Sequence, residues 1–245
     1  MEWRVRIVGD NNDLESLSRS ICTNDLAIVK DAELFYLKSS HWNNINTVEI
    51  IKDKAEEYIL YLTAVANILL EARGSIIIGG IESISPDGKR NIYVIPKGVE
   101  VVAKVGFPTI KITHADGTIE ESHIGDNAKK YFDLGTSNDG IAKVYRLIAL
   151  KGDDWVNLYR IFELIRDDVG GESEIKALGW ASGNKIDLFR GAANHPGVSG
   201  DDARHGVLAS PPPSRSMDLP QARTFIKGLV HAWLEYKIIK INSTV

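Results

Sequence analysis

Apolar and charged residues alternate along Trp3-Arg4-Val5-Arg6-Ile7-Val8, the period of a half-buried strand. Gly9-Asp10-Asn11-Asn12 closes the run with turn-forming residues. The period then lengthens. Leu14, Leu17 and Ile21 recur at helical spacing behind Asn11 and Asn12 as candidate caps, which predicts a short helix from about Asp13 to Ile21. Leu26 to Val29 and Leu34 to Leu37 flank the polar pair Lys30-Asp31 and read as a hairpin.

From Thr47 to about Arg73, Val48, Ile51, Ala55, Tyr58, Ile59, Leu62, Val65, Ala66 and Leu69 trace one helical stripe. Asn46 and Glu49 have the spacing of a capping box, and Gly74 is placed to stop the helix. Ser75 to Ile84 and Asn91 to Ile95 enclose Pro86-Asp87-Gly88, in which proline presets one dihedral and glycine accepts a positive one, so a second hairpin is expected. Val99 to Val105, Thr109 to Thr113 and Thr118 to Glu121 extend the strand-rich run, with Asp116-Gly117 as a further turn. Residues 1–137 thus read as a mostly antiparallel sheet with one long helix laid on it.

Beyond Asn138 the spacing is helical throughout. Ile141, Val144, Tyr145 and Ile148 form one stripe. Trp155, Leu158, Tyr159, Phe162 and Ile165 form another behind Asp153 and Asp154. Gly170-Gly171 separates these from a region broken at Gly179 and Gly183. The last helix opens on Asp218, Pro220 and Gln221 and carries Ala222, Phe225, Ile226, Leu229, Val230, Trp233 and Leu234 in register. The chain is therefore expected to be α+β, with an α+β domain over 1–137 and a helical domain over 138–245. The boundary is placed where turn formers cluster between Gly135 and Gly140.

Composition narrows the function classes. With 44% hydrophobic and 25% charged residues in 245, the chain has enough apolar surface for a core. No run approaches the roughly 18 apolar residues of a membrane span, and the start lacks a basic and then apolar leader, so a cytoplasmic protein away from membranes is expected. A formal net charge of -4 excludes a surface that grips nucleic acid as a whole, while leaving room for a local basic site. The single Cys22 reads as a small buried side chain near a helix end. His114 and His123 bracket a predicted hairpin but lack a third ligand, so no metal or other cofactor is expected.

One segment concentrates chemistry. Between Phe189 and Asp218 little regular pattern is visible, and a structureless connection of that length is commonly functional. Arg190, Asn194, His195, Asp201, Asp202, Arg204 and His205 supply permanent cations, groups that titrate near neutrality and carboxylates able to orient them. Gly197 and Gly200 let backbone approach a ligand, yet neither a Walker nor a Rossmann fingerprint is present. The same residues also read as scaffolding, with Asp201 and Asp202 paired to Arg204, His195 capping a helix and the glycines permitting turns.

The helical half, with an arginine and a histidine four residues apart in Arg190-Gly-Ala-Ala-Asn-His195, resembles the HEPN superfamily of nucleic-acid-associated helical domains. Many HEPN proteins are metal-independent ribonucleases that act as dimers. Gly191 stands where a polar residue is common in that family, and Pro196 directly follows the histidine. The wider pattern, from Gly179-Trp180 through Ala193-Asn194-His195-Pro196 and Ser199-Gly200-Asp201-Asp202-Ala203-Arg204-His205 to the last helix, is similar to a group of uncharacterised bacterial proteins.

Three functions remain open at this point. The first is an interaction or regulatory protein, in a stress or defence setting, whose segment 189–218 binds a protein partner. The second, implied by the HEPN resemblance, is an endoribonuclease acting as a homodimer. There His195 is the general acid or base, Arg190 stabilises the phosphorane, and Asn194, Asp201, Asp202, Arg204 and His205 contact RNA phosphate or a partner. The third is a small-ligand sensor with a pocket between the sheet and its long helix.

Overall fold

The computed structural model describes residues 1–70, 74–93, 109–113, 119–123, 127–150, 154–207 and 210–243. Strand β1 (Glu2–Val8) alternates as its sequence does, with Trp3, Val5 and Ile7 buried and Arg4 and Arg6 on the other face. It is the centre of a five-stranded antiparallel sheet of order β2-β3-β1-β4-β5, with β2 at Leu26–Asp31, β3 at Leu34–Ser39, β4 at Ile77–Ile84 and β5 at Arg90–Tyr93. Register puts Val5 beside Leu37 and Ile81, so one apolar face runs across three strands. The β1–β4 register shifts between Arg6 and Ile7, where Gly79 is the extra residue. A Cβ there would lie 2.7 Å from the Val8 side chain, so this bulge needs glycine.

The first hairpin turns later than its sequence implies. Lys30 and Asp31 pair with Phe35 and Leu34, and Ala32-Glu33 make the turn with Ala32 at φ 52. Polar side chains on an exposed edge strand do not stop ladder pairing, so Lys30-Asp31 is a poor turn marker. Helix α1 (Asn11–Ser20) is capped one residue before the expected asparagines: Asp10 accepts from the backbone N–H of Asn12 at 2.9 Å and of Asp13 at 3.2 Å. Cys22 is exposed, because it lies past the helix end in an isolated bridge to Ala27.

Helix α2 (Val48–Leu69) packs on β4. Its Ile51, Ala55, Leu62 and Val65 are fully buried, and Tyr58 is half-buried between Trp42 and Phe132 at centroid distances of 5.7 and 5.2 Å. The expected capping box is not formed. Thr47 is the N-cap and makes no side-chain cap bond, so this helix rests on its buried stripe rather than on its first turn. The helix ends at Leu69 with Leu70 as its C-cap, short of the expected Arg73, which itself falls outside the described residues, as do the strand at 99–105 and the turn at 116–117. β6 (Thr109–Thr113) and β7 (Ile119–His123) form an antiparallel pair and, among the described residues, pair with no other strand.

The chain divides into two compact units, Met1–Asp133 and Leu134–Val245. The division falls within helix α3 (Ala128–Ser137), which the turn formers Gly135, Thr136 and Ser137 had concealed. In the second unit, α4 (Asp139–Leu150), α5 (Trp155–Val169), α6 (Glu172–Ala177), α7 (Gly183–Asn194), α8 (Pro196–Ser199) and α9 (Leu219–Asn242) follow in order. α5 starts on Asp154, whose carboxylate accepts from Asn157 N–H at 2.8 Å. It ends on Gly170 at φ 97, the left-handed cap that glycine adopts without strain. α9 has the capping box of Asp218 and Gln221 and packs its Phe225, Leu229 and Trp233 face against α5. Among the described residues no helix is long and apolar enough to cross a membrane.

Candidate functional site

The first part of the segment read from sequence as a structureless loop, up to Asp202, is helical, and its described residues from 203 to 218 are not. α7 runs through Phe189, Arg190 and Asn194, α8 follows at once, and a 3-10 turn covers Gly200–Asp202. Its helical period was hidden because α7 has small residues where a stripe would show, at Gly191, Ala192 and Ala193. Phe189 is fully buried, with ring centroids of Phe225, Phe162 and Tyr159 within 5.4, 5.6 and 6.0 Å. This aromatic cluster joins α5, α7 and α9 and holds the last turn of α7 in place.

His195 sits at the junction of α7 and α8 and is 8% exposed. Its Nδ1 lies 3.0 Å from the Gly197 backbone nitrogen, a fixed donor, and its Nε2 lies 2.8 Å from the Ser210 carbonyl oxygen, a fixed acceptor. Those partners assign the neutral tautomer with the proton on Nε2. The imidazole thus caps α8 with one nitrogen and, with the other, holds the proline-rich strap of residues 210–214, Ser-Pro-Pro-Pro-Ser. Ser199 reinforces the corner, its hydroxyl donating to the Ala192 carbonyl at 3.0 Å. The strap lies close: a Cβ on Gly191 would be 3.4 Å from Pro213, and one on Gly197 3.4 Å from Pro212. Gly191 and Pro196 therefore have packing and helix-start roles.

Arg190 turns to α6. Its guanidinium donates to Glu172 at 2.9 Å, with the two side chains 41% and 28% exposed. Its Nε and the Asn194 Oδ1, one turn apart on α7, are buried without a hydrogen-bond partner among the described residues. Arg204 lies 3.1 Å from Glu163 and stacks 4.5 Å from the Tyr159 ring centroid, while its backbone N–H donates to the Ala193 carbonyl at 2.9 Å. The expected pairing of Arg204 with Asp201 and Asp202 is thus replaced by one with Glu163. Asp201, Asp202 and His205 are exposed.

The seven sequence-selected residues share one corner of the helical unit, but Arg190 and His195 serve different partners there. Glu172, Glu163, Tyr159 and Ser210 complete the arrangement, and no spacing rule links them to the segment. Among the described residues no group of three histidine, cysteine or acidic side chains could hold a metal ion. Comparison of the chain with protein-family models, with curated proteins and with solved structures finds no match to any of them.

Proposed function

We propose that the chain is a non-catalytic interaction protein whose binding surface lies on the helical unit, beside the corner built by residues 189–218. The observation that carries this reading is the engagement of His195: both ring nitrogens bond to fixed backbone groups of the chain itself. A general acid or base must have a nitrogen within reach of the proton it moves, and here both are occupied. Arg190 points the same way, because a guanidinium paired with Glu172 brings a carboxylate to any phosphate that approaches it.

The experiment is incubation of the purified chain with single-stranded and structured RNA in EDTA, beside His195→Ala and Arg190→Ala variants whose folding is verified by circular dichroism. No cleavage is expected from any of the three. Cleavage by the unaltered chain that disappears in both folded variants would replace the interaction reading with the endoribonuclease.

A further inference from the structure

Lys185, Leu188, Arg215, Met217, Pro220 and Phe225 line an open groove of about 930 Å³ between the first half of α7, the chain entering α9 and the first turns of α9. Its floor is apolar. Met217 and Phe225 are buried, Leu188 is half-buried and Pro220 is exposed. Its rim carries two cations and one carboxylate, Asp218. Lys185 and Arg215 are exposed, and among the described residues neither is held in an ion pair. Lys185 Nζ lies 5.4 Å from the Phe225 ring centroid, so it stands over the apolar floor.

Polar groups on the rim sort by type. Most acceptors are engaged locally: Asp218 Oδ1 accepts from the Gln221 backbone N–H at 2.8 Å, Gln221 Oε1 accepts from the Asp218 N–H at 3.0 Å, and the Pro220 carbonyl accepts from the Thr224 hydroxyl at 3.0 Å, so the Asp218 carboxylate offsets one of the two rim cations and leaves the rim with a net positive charge. The donors remain, namely the Lys185 ammonium, the Arg215 guanidinium and the Gln221 amide N–H groups. A surface with spare donors, spare positive charge and an apolar floor complements carboxylates flanking an apolar side chain. Two cations are few for a nucleic-acid backbone, which draws its affinity from many phosphate contacts. The groove is also open to solvent, whereas small-molecule sites enclose most of their ligand.

We propose that this groove docks an acidic peptide segment of a partner protein, one apolar side chain resting on Leu188, Pro220 and Phe225 and carboxylates meeting Lys185 and Arg215. The inference rests on the interaction reading above and names what that surface takes. Arg215 offers a planar fork to one carboxylate, and Lys185 a point charge to the other, so the two set the direction in which the segment lies.

The test is fluorescence anisotropy with short dye-labelled peptides in which leucine or phenylalanine is flanked by glutamates, against peptides with glutamine or lysine in the flanks, sodium octanoate and a short oligouridylate. The expected result is saturable binding of the glutamate peptides alone, weakened about tenfold or more by Lys185→Glu with Arg215→Glu and reduced at high salt. Both positions are exposed, and thermal melts by circular dichroism verify that the double variant folds. Absence of saturable binding, equal binding of the glutamine peptides or unchanged affinity in the double variant would overturn the proposal. Binding of octanoate or oligouridylate in place of the glutamate peptides would overturn it in favour of that ligand. Failure of the peptides without RNA cleavage removes only this occupant, whereas cleavage that needs Arg190 and His195 removes the interaction reading itself.

Discussion

His195 donates from Nε2 to the Ser210 carbonyl oxygen at 2.8 Å, a bond between residues fifteen apart that ties the proline-rich strap to the corner of α7 and α8. The same ring accepts the Gly197 N–H through Nδ1, so one side chain starts a helix and closes a loop.

His195→Ala is therefore expected to destabilise the helical unit by about 1 to 3 kcal/mol, the cost of a lost cap plus the lost part-buried bond to Ser210. His195→Asn, which keeps a cap acceptor, should recover part of this. Denaturant titration checks the stability, and hydrogen exchange should show faster opening at residues 196–207 and 210–216. Unchanged exchange in a folded His195→Ala variant would contradict the strap's dependence on this ring.

Gly197 is needed for a close approach. A Cβ there would lie 3.0 Å from His195 Nδ1, the atom that accepts the Gly197 N–H. Gly197→Ala is expected to cost about 1 to 3 kcal/mol. Gly206, with nothing within 4 Å of its ideal Cβ, should tolerate alanine with little change. Equal melting temperatures for the two variants would argue against the packing of the strap.

Trp233 is fully buried on α9, and its indole N–H donates to Asp168 at 2.8 Å, near the end of α5. Trp233→Ala should cost about 3 to 5 kcal/mol. Trp233→Phe keeps most of the apolar volume and should cost less, its loss measuring the bond to Asp168. A double-mutant cycle with Asp168→Asn reads that coupling directly. Lys237, 2.7 Å from Asp168, shares the carboxylate and must be present in all four proteins.

On the first unit, Glu82 is buried on the sheet and bonded by Arg90 and Arg4, with the Tyr36 hydroxyl 3.4 Å away. Burial pushes its carboxyl upward, but the hydrogen bonds from Arg90 and Arg4, followed by their charges, outweigh burial and hold it below the ordinary value of 4.5. A carboxyl depressed in the folded state contributes stability that is present above its unfolded value and lost as pH falls through the folded one. Stability should thus decline as pH drops below about 5, and Glu82→Gln should flatten that decline while costing about 2 kcal/mol at neutral pH. Urea titrations at pH 7 and pH 3 give both quantities. A variant with the same acid sensitivity as the parent chain would place the titration elsewhere.

Much of the architecture was legible because it repeats locally. The alternation in β1, the stripe of α2, the Pro86-Asp87-Gly88 turn and the Asp218–Gln221 box each need only neighbours in the chain, and each appears in the fold. Where local signals competed, the prediction slipped. Gly135, Thr136 and Ser137 read as a break but lie inside α3, and small residues at Gly191 to Ala193 hid the end of α7. Tertiary packing overrides weak propensity, so a helix held by Phe189 in an aromatic cluster needs no strong pattern of its own.

The chemistry of the 189–218 segment divides in the same way. Which residue types gather there, with their charges, donors and glycines, was determined by the sequence alone, as was the α+β class that follows from a change of hydrophobic period. What each side chain does there was decided only by the tertiary structure. Arg190 meets Glu172, Arg204 meets Glu163 and His195 meets Ser210 across chain separations of 18, 41 and 15 residues. Such pairings depend on where helices cross, and a hydrogen bond is made or lost over a fraction of an ångström, a distance that no spacing along the chain encodes.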